Sequence, residues 1–173
     1  MLEYAKLYEE EVNKLHFSLV DNKKYQYYFV GYFDIPTLEK DEWNKICRVS
    51  TIGGIVIGYL QANINRSNVI VSDLLLWSIA RSYKEYKVFE KDLMSFILIL
   101  LRKYPVIQWM VIIDNPVRKK YQRFIKTVGG NIVGIQHKCA RIGNEYMDEE
   151  LYEIISSPEI IKKVEQLRDR IKL

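Results

Sequence analysis

The chain has 173 residues, 49% of them hydrophobic and 28% charged, and this composition predicts one globular domain over residues 1–173. The formal net charge is +4, and the only basic cluster, at 118–123, is too short to indicate a dedicated nucleic-acid-binding surface. Two cysteines and two histidines exclude a disulfide framework and show no metal-ligand spacing, and no apolar run could span a bilayer. These features predict a soluble cytoplasmic protein with no metal site and no membrane partner.

The first 77 residues are predicted to contain two helices and three strands. Apolar residues near helical spacing predict a helix over 2–15, and the aromatic run 25–33 predicts a strand. An acidic segment from Pro36 to Cys47 predicts a short helix, because its early carboxylates favour a helix start. The apolar runs 55–64 and 69–77 flank a polar connection and predict an antiparallel hairpin.

The remaining elements alternate more regularly. Residues 78–88 are predicted to form a loop that enters an apolar-faced helix, which ends before Pro105. A buried strand is expected over 106–113, followed by a helix that Asn115 caps and that ends at Gly129-Gly130. Strands over 131–142 and 145–155 flank a turn at Gly143, and a last helix is expected over 158–172. The mixed order argues against a doubly wound sheet, and no G-x-G-x-x-G or P-loop is present.

Three stretches resemble motifs of the GNAT superfamily of N-acetyltransferases. They are IGYLQANI on a strand, NPVRKKYQRFIKTVGGNIVGI on a helix and the strand after it, and ARIGNEYMDEELYEI on a terminal hairpin. The likeness covers about 100 residues, and it is nearest to ribosomal-protein N-acetyltransferases and to GNAT-like proteins of low-GC bacteria and their phages. The resemblance implies an α/β (mixed α+β) fold with a core at about 53–155. In that fold a central mixed sheet is flanked by helices, and two parallel strands splay apart in its middle.

The resemblance also implies a site. Acetyl-CoA, or CoA, is expected in the cleft between strands 69–77 and 107–113, with Leu75, Leu76 and Trp77 beside its pantetheine arm. Asn115 is expected on the cofactor side in addition to its role as a helix cap. The glycines of the family's pyrophosphate loop are missing, because Glu85, Val88 and Glu90 stand at the motif positions. We therefore expect Lys87 and Lys91, with their positive charges, to bind the phosphates instead, unless the fold has lost its cofactor.

Two residues are candidates for proton transfer. Tyr121 corresponds to the tyrosine that acts as the acid in the family. The commonest family spacing is one residue longer, however, and would select Gln122. The alternative is that Tyr121 belongs only to the apolar stripe of its helix. Asp73 is the candidate base because it lies mid-strand among apolar residues, where burial raises the pKa of a carboxyl group. The alternative is that Asp73 faces solvent.

Two functions remain open at this point. One is an acyl-CoA-dependent N-acetyltransferase that acts on a small-molecule or peptide amine, and a homodimer through the terminal strands and outer helix is compatible with it. The other is a catalytically degenerate GNAT-fold protein that binds a partner, such as a phage accessory or structural protein. The two make different predictions for the cleft, which is open in an enzyme and filled by side chains in a binding protein.

Overall fold

The computed structural model describes residues 1–20, 22–28, 38 and 42–173. Within these ranges seven strands form one sheet, and helices cover both of its faces. The strands are β1 (Leu2–Tyr4), β2 (Lys45–Ile52), β3 (Ile55–Asn65), β4 (Ile70–Ser78), β5 (Val106–Ile112), β6 (Asn131–Ile142) and β7 (Glu145–Ile155). The helices are α1 (Glu9–Val20), α2 (Tyr83–Lys103), α3 (Arg118–Val128) and α4 (Pro158–Arg170). None of these helices is both long and apolar enough to cross a lipid bilayer.

The strand order across the sheet is β1-β2-β3-β4-β5-β7-β6. Every neighbouring pair is antiparallel except β4 and β5, which run parallel. These two strands are paired at one register position, Val71 opposite Ile107, and then diverge. The mixed α/β fold with splayed parallel strands in its middle is therefore confirmed.

The two faces of the sheet bury separate apolar clusters. Side chains of α2, α3 and α4 pack with Leu74, Trp109 and Val111 on one face, which we call the α2 face. Side chains of α1 pack with Leu75 and Trp77 on the opposite face, which we call the α1 face. Successive residues of β4 thus alternate between the two faces, as the pleat of a strand requires.

The predicted order from residue 53 to 155 is confirmed, including both hairpins. The helix after β4 nevertheless starts earlier than predicted, at Tyr83 instead of near Phe89. Ser82 and Glu85 form a capping box, in which each side chain accepts a hydrogen bond from the backbone of the other residue. The polar, aromatic segment 83–88 is therefore the exposed first part of a helix and not a loop.

The predictions for the N-terminal third are largely wrong. Residues 2–4 form β1 and residues 5–8 a 3₁₀ turn, so the helix predicted over 2–15 begins only at Glu9 and runs to Val20. The reason is tertiary: β1 pairs with β2, with Leu2 opposite Ser50, and this pairing overrides a weak local helical pattern.

Two further predictions in this region fail where the structure describes the chain. Residues 23–28 form a 3₁₀ helix instead of the first part of the strand predicted over 25–33, whose residues 29–33 lie outside the described ranges. The short helix predicted from Pro36 to Cys47 is contradicted at 45–47, which belong to β2; residues 36, 37 and 39–41 are outside the described ranges. The β-branched run Val49-Ser-Thr-Ile52 favours the strand, and this strand is anchored on both sides by β1 and β3.

Candidate active site

A cavity of about 650 Å³ opens where β4 and β5 diverge. Because the ladder between these strands has only the Val71–Ile107 position, the sheet has a gap beyond it, and the cavity lies in that gap. Its walls come from β3, β4, β5, β6 and β7, from the residues at the start of α3, and from the 3₁₀ helix 23–28. The lining residues are Tyr27, Asn63, Asp73, Leu74, Leu75, Leu76, Trp109, Met110, Val111, Ile112, Asn115, Tyr121, Cys139, Ala140, Arg141 and Glu149.

The lining residues come from both faces of the sheet. Leu74, Trp109 and Val111 belong to the core cluster on the α2 face, and Tyr121 packs against that cluster. Leu75 belongs to the cluster on the α1 face, and alternation along β4 places Asp73 on the same side. The cavity therefore passes through the sheet, with an aromatic arm on the α2 face and an arm that contains carboxylates on the α1 face.

Five of the predicted site residues meet at this cavity: Asp73, Leu75, Leu76, Asn115 and Tyr121. Trp77 does not line it. Its side chain is almost fully buried on the α1 face, where it stacks on Tyr59 with ring centroids 5.5 Å apart. Leu75 lies on the same face and does line the cavity, so Trp77 is set apart by its stacking on Tyr59 near the end of β4 and not by the face it occupies.

The predicted phosphate-binding lysines also lie away from the cavity, within the first half of α2. The ammonium group of Lys87 pairs with the carboxylate of Glu90 at 2.7 Å. Its positive charge is therefore balanced by a negative charge on the same helix. Lys91 lies one helical turn further along the same helix. In the described ranges, neither lysine forms an ion pair with a residue that lines the cavity.

The start of α2 is occupied by an anion that belongs to the chain itself. The carboxylate of Glu85 accepts hydrogen bonds from the backbone N–H groups of Arg81 at 2.6 Å and Ser82 at 3.1 Å. These bonds lower the pKa of Glu85 below its usual value, because they stabilise the charged form. Backbone N–H groups at a helix N-terminus are a common anion site, and here a side chain of the same helix fills it.

Asp73 lies on β4 opposite Asn63, next to an irregularity in the β3–β4 ladder. Burial raises the pKa of Asp73 to about 6; a hydrogen bond from the backbone N–H of Leu74 opposes this shift, and the charge of Glu149 adds to it. The distance from the Leu74 nitrogen to Oδ1 of Asp73 is 2.8 Å. A carboxyl group with such a pKa can accept a proton reversibly near neutral pH, as a general base must.

Tyr121 lies on α3 at the aromatic arm of the cavity. Its ring centroid is 6.4 Å from that of Trp109 and 6.3 Å from that of Tyr152. Gln122, the residue that the longer family spacing selects, instead donates its amide N–H to the carboxylate of Glu150. Of the two alternatives left open by the sequence, Tyr121 is the one that faces the cavity.

Asn115 lines the cavity just before α3, although it is not the cap of that helix. Its Oδ1 accepts a hydrogen bond from the backbone N–H of Val117 at 3.0 Å, and its carbonyl accepts from that of Arg118 at 2.9 Å. The predicted N-cap at Asn115 is therefore wrong. A separate turn precedes the helix, which begins at Arg118 with Val117 as its cap residue.

Eleven of the lining residues are not among the sequence-based predictions, and four of these eleven lie on the terminal hairpin. Glu149 lies on β7, while Cys139 and Arg141 lie on β6. Trp109 was recognised only as part of a strand. What distinguishes Trp109 in the structure is its indole N–H group. Trp109 is only 3% exposed, yet this N–H has no hydrogen-bond acceptor among the residues that the structure describes. The same described part of the chain contains no group of three or more side chains suited to hold a metal ion.

Comparison with solved structures identifies the fold. No protein-family model matches the sequence, and no curated relative is similar to it at the sequence level. Spermidine N-acetyltransferase from Vibrio cholerae, solved with CoA and spermine, is 15% identical; the match covers 92% of this chain and 97% of that one, with a TM-score of 0.66. An N-acetyltransferase from Staphylococcus aureus is also 15% identical, with coverages of 91% and 98% and a TM-score of 0.65.

A third similar structure is an acetyltransferase from Salmonella typhimurium that modifies the N-terminal serine of a 50S ribosomal subunit protein. It is 15% identical, with coverages of 90% and 94% and a TM-score of 0.62. All three matches extend over nearly the whole of both chains, so the likeness includes the splayed sheet and is not confined to one motif. The chain therefore has the fold of the GNAT superfamily of N-acetyltransferases.

Proposed function

We propose that this chain is an acyl-CoA-dependent N-acetyltransferase. The observation that carries the proposal is the cavity that crosses the sheet between β4 and β5, with Tyr121 at one arm and Asp73 at the other. A transferase must bring two substrates to one reacting carbon, and a cavity lined from both faces of a sheet offers a separate arm for each substrate. The open cleft also favours an enzyme over a binding protein whose side chains would fill the space.

The acyl donor fits the aromatic arm. Leu74, Leu76 and Val111 provide apolar walls for a pantetheine chain, and Asn115 offers polar groups at the start of α3. Leu74 and Leu76 are two residues apart on β4, so their backbone N–H groups point to the same side of the strand. The N–H of Leu74 is already held by Asp73, and the N–H of Leu76 would polarise the thioester carbonyl.

The diphosphate of the donor must be bound differently from the usual pattern. Glu85 occupies the N–H groups at the start of α2, so a phosphate must displace its carboxylate or bind to nearby cationic side chains. Lys120 on α3 is one such cation, because its ammonium group reaches across to the Tyr86 hydroxyl on α2 at 2.9 Å. This contact places a positive charge between the first turns of the two helices.

The two candidate groups divide the proton transfers. Asp73 takes a proton from the attacking ammonium, which leaves a neutral amine that can attack the carbonyl carbon. A C–N bond forms, the C–S bond breaks, and Tyr121 donates its phenolic proton to the leaving thiolate. The substrate supplies the thioester, while this chain supplies position, the base and the acid.

Calorimetric titration with desulfo-CoA and acetyl-CoA tests donor binding, and release of free CoA thiol in the presence of an amine tests the reaction. We expect both ligands to bind and Tyr121→Phe to lower kcat while it leaves the dissociation constant for desulfo-CoA unchanged. Absence of binding at millimolar ligand would refute the proposal and would leave a GNAT-fold binding protein as the function. A Tyr121→Phe enzyme with unchanged kcat would remove Tyr121 from the mechanism.

A further inference from the structure

The arm of the cavity on the α1 face has an acidic character. Asp73 enters it from β4 and Glu149 from β7, so the two carboxylates come from different walls. They are close enough for the charge of Glu149 to raise the pKa of Asp73. Tyr27 and Asn63 complete this part of the lining with an aromatic ring and an amide.

No cation of the described chain balances Glu149. Its carboxylate accepts a hydrogen bond from the thiol of Cys139 at 3.3 Å, and no Lys, Arg or His nitrogen in the described ranges lies within 4.0 Å of it. Among the lining residues that the structure describes, the cationic one is Arg141, but its guanidinium is directed at the hairpin turn. It donates to the carbonyl of Gly143 at 2.8 Å and to the side-chain oxygen of Asn144 at 3.4 Å.

The opposite arm of the cavity is aromatic. Trp109 and Tyr121 line it, and the indole N–H of Trp109 is itself buried away from the cavity space. One cavity thus has an aromatic arm on the α2 face and an arm with an unbalanced carboxylate on the α1 face.

We propose that the acceptor is an amine with a second positive charge, such as a diamine or polyamine, and that Glu149 binds the charged nitrogen that does not react. This inference rests on the proposed acetyltransferase function and adds the class of acceptor. The reacting nitrogen lies beside Asp73 and gives up its proton there, forms the amide C–N bond and displaces the thiolate. The second nitrogen keeps its proton and its charge throughout, and Glu149 balances that charge.

The test compares spermidine with n-butylamine, a monoamine of similar chain width, at saturating acetyl-CoA. We expect kcat/KM to be about 10- to 100-fold higher for spermidine, the range expected for one additional charge-assisted hydrogen bond. In the Glu149→Gln variant this preference should fall to near unity, and KM should rise for spermidine but not for n-butylamine. Glu153→Gln is the matched control: it lies on the same strand, does not line the cavity, and accepts from the neutral amide of Gln108.

A second measurement does not depend on turnover. Spermidine should bind to the complex with desulfo-CoA in calorimetry, more weakly as salt is raised, and Glu149→Gln should weaken it about tenfold or more. Equal kcat/KM for spermidine and n-butylamine in the wild-type protein would overturn the inference while the acetyltransferase function stands. Failure of desulfo-CoA to bind would instead overturn the function itself. Both results come from the wild-type protein and do not require the variants to fold.

Discussion

Replacing Glu150 by Gln should remove an acid-sensitive part of the stability. Glu150 is 5% exposed on β7 and accepts two hydrogen bonds from the guanidinium of Arg118 at the start of α3, at 2.9 and 2.5 Å. Gln122 and the hydroxyl of Tyr152 donate to the same carboxylate. This cluster fastens α3 to the sheet next to the cavity, and every one of its bonds favours the charged form of Glu150.

The magnitude follows from the pKa. Arg118 and the other donors lower the pKa of Glu150 from 4.5 to about 2, against the opposing effect of burial. A difference of about 2.5 between the unfolded and folded pKa corresponds to about 3 kcal/mol of unfolding free energy. Because the folded pKa is the lower one, this contribution is fully present above about pH 4.5 and is lost as the pH falls towards 2.

Urea unfolding at several pH values from 7 to 3, followed by circular dichroism, measures the effect. The wild-type protein should exceed Glu150→Gln by about 2–3 kcal/mol at pH 7, and the difference should shrink as the pH approaches 3. Glu153→Gln on the same strand keeps an acceptor oxygen for the neutral amide of Gln108 and should cost less. If the wild-type and Glu150→Gln curves stay parallel from pH 7 to 3, the Arg118–Glu150 pair does not act as described.

Three further changes test separate features. Gly130→Ala places a Cβ 2.7 Å from the backbone oxygen of Glu153 and should lower the unfolding free energy by about 1–3 kcal/mol, whereas Gly134→Ala, with open space around its Cβ, should not; equal melting temperatures would contradict this. Asp73→Asn should abolish the fall of kcat/KM below about pH 6 that the raised pKa predicts, and a surviving limb would point to another base. Glu85→Gln removes the negative charge at the start of α2 and should tighten desulfo-CoA binding in calorimetry; unchanged affinity would show that the diphosphate binds elsewhere.

The order of elements from β3 to α4 could be read from the sequence because its signals are local. Gly53-Gly54 before β3, Pro105 after α2 and Gly129-Gly130 after α3 each mark a boundary without reference to the rest of the chain. The N-terminal elements could not, because β1 is a strand only through its pairing with β2. The capping box of Ser82 and Glu85 is an intermediate case: its spacing was visible, and it would have placed the start of α2 correctly.

The candidate site divides in the same way. Asp73 and Tyr121, which both line the cavity, are predicted from the sequence because a carboxylate in an apolar strand and a tyrosine at a family position are visible one residue at a time. Glu149 was missed because it reaches the cavity through the strand order, in which β7 returns to lie between β5 and β6. The prediction that Lys87 and Lys91 bind phosphate rests on their charge alone. In the structure the charge of Lys87 is balanced by Glu90 on the same helix.

Two irregularities in β6 affect how the sheet can grow, and the larger of them follows Gln136. Between Gln136, opposite Glu149, and Ala140, opposite Met147, three residues of β6 face the single residue Asp148. Lys138 in the middle has a φ of 51°, and the carboxylate of Asp148 fixes this bulge by accepting from its backbone N–H and from His137. The outer edge of β6 is otherwise a long strand with half-exposed Ile132, Val133 and Ile135, the kind of edge that invites another strand to add.

An added strand would meet a row of backbone donors and acceptors that is already irregular at Val133, and the larger bulge after Gln136 interrupts the row again and places a lysine at the break. In the first half of β6 the register is unbroken only over the short runs 131–132 and 134–136, which offers little regular edge for intermolecular sheet extension. The same bulge positions Cys139 and Ala140 in the wall of the cavity. One local distortion therefore shapes the site and also makes the exposed edge of β6 a poorer template for intermolecular strand pairing.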